Sequence, residues 1–216
     1  MNATARAPVQ RDERGVALLL ALMAAAFVTA LAASLMVPVS TETRIAGNVR
    51  AAGETLYAAE AGLARTIHDL AALPDWSAVL ASSSGRASFD DGQLSVRAPD
   101  GRVLSVATLL AERQAVSDQT DGVGTFGADR PLWKAFGHAP LAAVLPPGLV
   151  AQPAYIFACL GDDGFDGDGD SMSDANGRLL VYVEAFGVSG ARRGVEALIE
   201  HAGPGVVRVL TWREVR

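Results

Sequence analysis

Hydrophobic positions run unbroken from residue 16 to residue 39. The stretch VALLLALMAAAFVTALAASLMVPV has only Thr29 and Ser34 as polar side chains, and no charged residue lies between Arg14 and Glu42. Its 24 residues exceed the ~20 that a helix needs to cross a bilayer. A soluble core helix is rarely apolar on every face for so long. Beyond it the pattern becomes periodic. Ile45, Val49, Ala52, Leu56, Ala59, Leu63, Ile67 and Leu70 follow one another at steps of three or four, which is one stripe on a helix. Arg50 and Glu54 form an i,i+4 pair on the polar side. Pro74 stops the run. The pattern predicts one helix over about 16–73, apolar all round in its first half and amphipathic in its second.

After residue 74 the period shortens. Residues 86–90, 93–98 and 102–107 are short and β-prone, with Asp91-Gly92 and Asp100-Gly101 between them, and predict a three-stranded meander. Residues 108–116 predict a short helix, and 117–130 a Gly/Asp-rich loop. Residues 131–145 open with proline at a helix-N1 position and predict helix in two pieces around Gly137-His138. Residues 154–160, 178–188, 192–201 and 206–214 predict four strands, with Ser189-Gly190 and Pro204-Gly205 as turns. Val195, Ala197 and Ile199 alternate with Glu196, Leu198 and Glu200, as in an antiparallel sheet with one face packed on a helix. The 45–70 stripe is the expected cover. The fold class is therefore α+β, a long N-terminal helix laid on an antiparallel sheet.

Pro38, Gly47, Gly53 and Gly62 interrupt the long helix. Each glycine costs about 1 kcal/mol relative to alanine, and proline about 3. Either small residues let the helix approach its neighbours closely, or the stretch near 38–47 is a weak point that extends when the helix leaves the bilayer.

Composition narrows the chemistry. The net charge of −6 speaks against nucleic acid as a partner. Cys159 is the only cysteine, so an internal disulfide and a cysteine-based zinc cluster are both excluded. No Gly-x-Ser-x-Gly, His-Glu-x-x-His or phosphate-binding glycine loop is present, and no enzyme activity is expected. The distinctive feature is acidic. Six of the 15 aspartates fall in the 13 positions 162–174, between the first two C-terminal strands. Asp166, Asp168 and Asp170 have the i, i+2, i+4 spacing of a calcium loop, and Asp174 falls at its ninth position. Ser171 and Gly177 depart from the EF-hand residues at positions six and twelve. Asp166, Asp168, Asp170 and Asp174 are thus candidate Ca²⁺ ligands, with Asp162 and Asp163 outside the first shell. The alternative is a solvated acidic loop.

The N-terminal run admits three readings: a signal peptide cut after it, a plain anchor, or a prepilin-type leader cut before it at Gly15–Val16. Continuity with the amphipathic helix favours the third. The segment ahead of it carries Arg6, Arg11 and Arg14 against Asp12 and Glu13, which keeps that end cytoplasmic. Arg14-Gly15 before the run, Arg44 with Ala46-Gly47-Asn48 after it, and Ala58-Ala59-Glu60-Ala61 resemble the N-terminal region of PilX-type minor pilins of type IV pili. The chain is more loosely similar to GspK-type minor pseudopilins. The resemblance covers about residues 11–70. It implies cleavage by a prepilin peptidase, a methylated Val16, and partners among other major and minor pilins and a tip adhesin. Most pilins carry Glu five residues after the cut, where it pairs with the N-terminal ammonium of the subunit above. Here the position is Leu20, as in subunits placed at or near the tip. Glu60 is a second candidate filament contact, or a partner for an arginine of the head.

The sequence thus predicts a leader (1–15), a membrane or filament-core helix (16–40), its amphipathic continuation (41–73) and an external head (74–216). The expected function is a minor pilin or pseudopilin in the inner membrane and then in the filament. The rival is a membrane-tethered, calcium-dependent binding or adhesion module that does not polymerise.

Overall fold

The computed structural model describes residues 14–81, 87–149 and 152–215; the expected leader, apart from Arg14 and Gly15, lies outside them. The chain divides into two compact units, Met1–Gly47 and Asn48–Arg216.

Helix α1 spans Arg14–Ala71 and stays helical through Pro38. In the first unit its apolar side chains are exposed on every side, from Val16 through Leu20 and Phe27 to Met36. An 18-residue window there reaches a mean hydropathy of 2.5, so the helix is long and apolar enough for a single membrane span.

The second unit is built on a five-stranded antiparallel sheet. Strands β1 (Ser95–Arg97) and β2 (Val103–Ser105) form a separate hairpin. Strands β3 (Lys134–Pro140), β4 (Tyr155–Asp162), β5 (Arg178–Phe186), β6 (Arg192–Gly203) and β7 (Val206–Val215) pair in sequence order. Helix α2 (Ser77–Leu80) follows α1, α3 (Val106–Ser117) and α4 (Val123–Phe126) precede the sheet, and α5 (Leu141–Val144) follows β3. The α+β architecture and the four C-terminal strands are as the sequence pattern predicts.

The C-terminal part of α1 covers one sheet face, with Leu56, Ala59, Leu63, Ile67 and Leu70 of the expected stripe against the core, but the stripe's first residues stay out and small residues beside it come in. Ile45 and Val49 remain exposed. The buried face is Ala51, Thr55, Ala58, Ala59, Gly62, Leu63, Thr66 and Leu70. Close approach explains the small residues. A Cβ on Gly62 would lie 2.7 Å from Ile156 Cγ2 and 2.8 Å from Val183 Cγ1. The helix seats its smallest residues over the β-branched side chains of β4 and β5, so the interface selects by size as well as by hydrophobicity. Gly47 and Gly53 meet nothing within 4 Å, so close packing within the chain accounts for Gly62 alone of the three.

The sheet is covered on both faces, not one. Ile156, Leu160, Val181, Val183, Val195 and Ile199 join the core under α1. On the other face Phe157, Cys159, Tyr182 and Phe186 pack with Leu104, Leu109 and Trp133 from the hairpin, α3 and the segment before β3. Every residue of β4 is buried, which is why AYIFACL reads as a continuous apolar run. Cys159 is a buried core thiol, and burial raises its pKa.

Three local expectations are corrected. Residues 134–140 form the edge strand β3 rather than a helix, because pairing with β4 and a bulge at Ala135/Gly137 satisfy their backbone. Of the expected meander only the β1–β2 hairpin is a ladder. The described part of 86–90 lies along β3 without forming a strand, held by Ala87 N–H donating to Phe136 O and Asp91 N–H to His138 O. Residues 118–129 are a chain of helical turns rather than an open loop: a π-turn Asp118–Gly122, then α4, then a 3₁₀ turn Gly127–Asp129. Gln114 anchors them, donating to Asp118 and Pro131 O and accepting from Trp133 N–H.

Candidate metal centre

The acidic segment joins β4 to β5, and it folds back through its own carboxylates. Asp168 Oδ1 accepts from Asp170 N–H at 2.8 Å, and Asp170 Oδ1 from Met172 N–H at 3.0 Å. Asp174 Oδ1 accepts from Gly177 N–H at 2.7 Å and Arg178 N–H at 3.1 Å, capping the start of β5. Asp163 Oδ1 takes Phe165 N–H and the Asn176 amide. Asp166 Oδ2 takes Ala175 N–H at 3.3 Å.

Four carboxylate oxygens are left over. Asp162 Oδ2, Asp163 Oδ2, Asp166 Oδ1 and Asp129 Oδ1 are buried and have no hydrogen-bond partner among the described residues. Asp162 and Asp163 are 0% and 3% exposed, so the strand end carries two carboxyls into the interior. Each unpartnered buried oxygen is costly unless a proton or a cation meets it. Burial, and then the charge of Asp166, push the Asp162 carboxyl up to about 7, against the pull of the Asp163 N–H; Asp163 and Asp174 add to the repulsion. Burial also raises Asp174, against its backbone donors.

The sequence placed Asp166, Asp168, Asp170 and Asp174 around one ion. The structure brings Asp166 and Asp168 together with Asp129, each offering an oxygen within 4.8 Å of the others. Asp170 is exposed, and one oxygen of Asp174 is engaged by the β5 backbone. Asp129 was not foreseen, because it comes from the 3₁₀ turn more than thirty residues upstream. The two segments touch at Gly164. Its φ of +70° is a conformation that favours glycine, and a Cβ there would lie 2.9 Å from Asp129 O and 3.1 Å from the Phe126 ring. Phe126 and Phe165 meet edge to face at 4.9 Å beside it.

A donor set made only of carboxylates suits a hard cation, not a soft one. A second cluster, Asp90, Asp91 and His138, also converges. There the groups satisfy one another: Tyr155 Oη donates to Asp91 at 2.8 Å and lies 2.9 Å from His138 Nδ1, and Asp90 accepts from His138 N–H. That cluster holds the 90–91 turn on the β3 edge.

The remaining expected positions lie elsewhere. Gly15 and Val16 are in the first turns of α1, and Leu20 is exposed on it. Glu60 is half-buried, with no ion pair to any described residue. A cavity of about 500 Å³ is lined by Glu112, Arg113, Glu184 and Arg192 with apolar neighbours. Its charges are already paired, Arg192 with both Glu184 and Glu112, and Arg113 with Glu196. No family model, curated protein or solved structure matches this chain.

Proposed function

We propose that this protein is a non-enzymatic minor pilin or pseudopilin, inserted in the inner membrane with its N-terminus in the cytoplasm, cut between Gly15 and Val16, and assembled at or near the filament tip. The observation that carries this reading is α1 itself. Its first half is apolar and exposed on every side, and it continues without a break into a segment that packs on a folded head. An isolated anchor does not need that continuity, whereas a subunit built by side-to-side packing of helices does. Leu20, in the place of the usual glutamate, supports a position with no subunit above it.

The second reading, a tethered calcium-dependent module that does not polymerise, draws on the unpartnered carboxylates of the head. In both readings a calcium ion in the acidic segment stiffens the head. Filament shearing separates them. With the gene deleted, surface filaments should fall sharply in number, and the tagged protein should appear in the sheared filament fraction as a minor component. Unchanged filament numbers, with all of the protein left in the inner membrane, would favour the tethered module.

A further inference from the structure

We propose that one hard divalent cation, calcium by its chemistry, binds between the Gly127–Asp129 turn and the β4–β5 connection, held by Asp129, Asp166 and Asp168 with Asp162 and Asp163 behind them, and that it staples these two segments together. The inference rests on the cation reading of the acidic segment but not on the pilin reading.

Two independent observations converge on the site. Asp129, Asp166 and Asp168 bring oxygens from two separate segments within 4.8 Å of one another. Unneutralised, three carboxylates at that separation repel strongly. The second observation is the pair of unpartnered oxygens on Asp162 and Asp163, whose side chains are almost completely buried. Asp162 interacts with Asp166 before any other charge, and Asp163 adjoins Gly164, which lies against Asp129 O. Both lie within four residues of Asp166, where β4 enters the β4–β5 connection. No described N–H or O–H reaches these oxygens, which leaves a proton or a cation to complete them, and the three carboxylates converging nearby favour the cation.

The identity of the ion follows from the donors. Every group is oxygen, which disfavours zinc and copper. Magnesium needs near-ideal octahedral geometry and retains several waters, whereas calcium accepts six to eight oxygens in looser arrangements. Gly164, Gly167 and Gly169 all have left-handed φ, so the segment wraps irregularly. Such a shell, completed by backbone carbonyls and water, fits the larger ion. The neighbouring Phe126–Phe165 contact clasps the same two segments, so metal and aromatic pair act on one joint.

Calcium titration calorimetry on the full-length protein in detergent micelles, stripped with chelator, tests this directly. The wild type should bind one calcium ion per chain, with magnesium much weaker. Asp129→Asn should weaken binding about tenfold or more, because it removes a charged ligand from the second segment. Asp170→Asn should change affinity by less than about twofold, since Asp170 stands outside the cluster. Near-ultraviolet circular dichroism of buried Trp76 and Trp133 verifies that each variant is folded. No calcium binding by the wild type would overturn the cation reading altogether. Full affinity in folded Asp129→Asn with loss in Asp170→Asn would overturn the staple alone, leaving a site within the 166–174 segment. Magnesium binding as tightly as calcium would overturn the assignment of the ion.

Discussion

Replacing Gly62 with alanine probes the seat of α1 on the sheet at its tightest point. The added methyl would lie 2.7 Å from Ile156 Cγ2 and 2.8 Å from Val183 Cγ1. Both neighbours are fully buried, in the adjacent strands β4 and β5. Both are β-branched, with little freedom to rotate away. Overpacking of this kind costs roughly 1–3 kcal/mol, against a helix-propensity gain of about 1 kcal/mol for Gly→Ala. The expected net effect is a destabilisation of about 1 kcal/mol. Gly53→Ala is the control, since a Cβ there meets nothing within 4 Å. It should keep the propensity gain and stabilise by about 0.5–1 kcal/mol. The two variants should therefore differ by about 2 kcal/mol, or roughly 4–8 °C in Tm. Thermal unfolding of both full-length variants in the same micelles, followed by the fluorescence of buried Trp76 and Trp133, measures the difference. Equal stabilisation by the two alanines would refute the packing of α1 on β4 and β5 at Gly62.

Three further outcomes are expected. Glu196→Ala removes the carboxylate from Arg113, which is buried and lies over both the Trp133 and Tyr182 rings, and should cost about 3–5 kcal/mol in urea unfolding; a loss below about 1 kcal/mol would show the pair to be dispensable. Gly164→Ala forces a side chain into a left-handed φ against Asp129 O and should lower stability by at least about 1–2 kcal/mol, read from the same melts; an unchanged Tm would mean that the two segments separate freely. Leu20→Glu should give no gain in filament number when it is the sole copy, because a tip subunit has no ammonium above it; a clear gain would place the subunit in the shaft.

The parts of the fold that were legible in the sequence are those fixed by local pattern. The membrane-length run is visible because no charge interrupts it. Strands β4 to β6 are visible because burial and alternation imprint on their residues, and the mostly exposed β7 because β-prone residues follow the Pro204-Gly205 turn. The Asp100-Gly101 turn is visible because Gly101 has a φ of +89° and Asp100 Oδ1 accepts from Arg102 N–H. What escaped depends on partners far along the chain. The edge strand Lys134–Pro140 contains both Gly137 and Pro140, and it is a strand because β4 pairs with it. On α1 the stripe captures Ala59, Leu63 and Leu70, while Thr55, Ala58 and Gly62 escape it because small and polar residues carry little hydrophobic signal. In the acidic segment the density of aspartates was plain, but their burial was not. Asp162 and Asp163 looked peripheral and are the deepest carboxylates, and Asp129 joins them only through the fold.

A pilin-type subunit, as proposed for this protein, keeps its apolar helix after processing. Intact-mass analysis with N-terminal sequencing of the protein purified from its own membranes tests it most directly. The expected chain begins at Val16 and retains the whole 16–39 run. A chain that begins after that run, or one that still carries Met1, would contradict it.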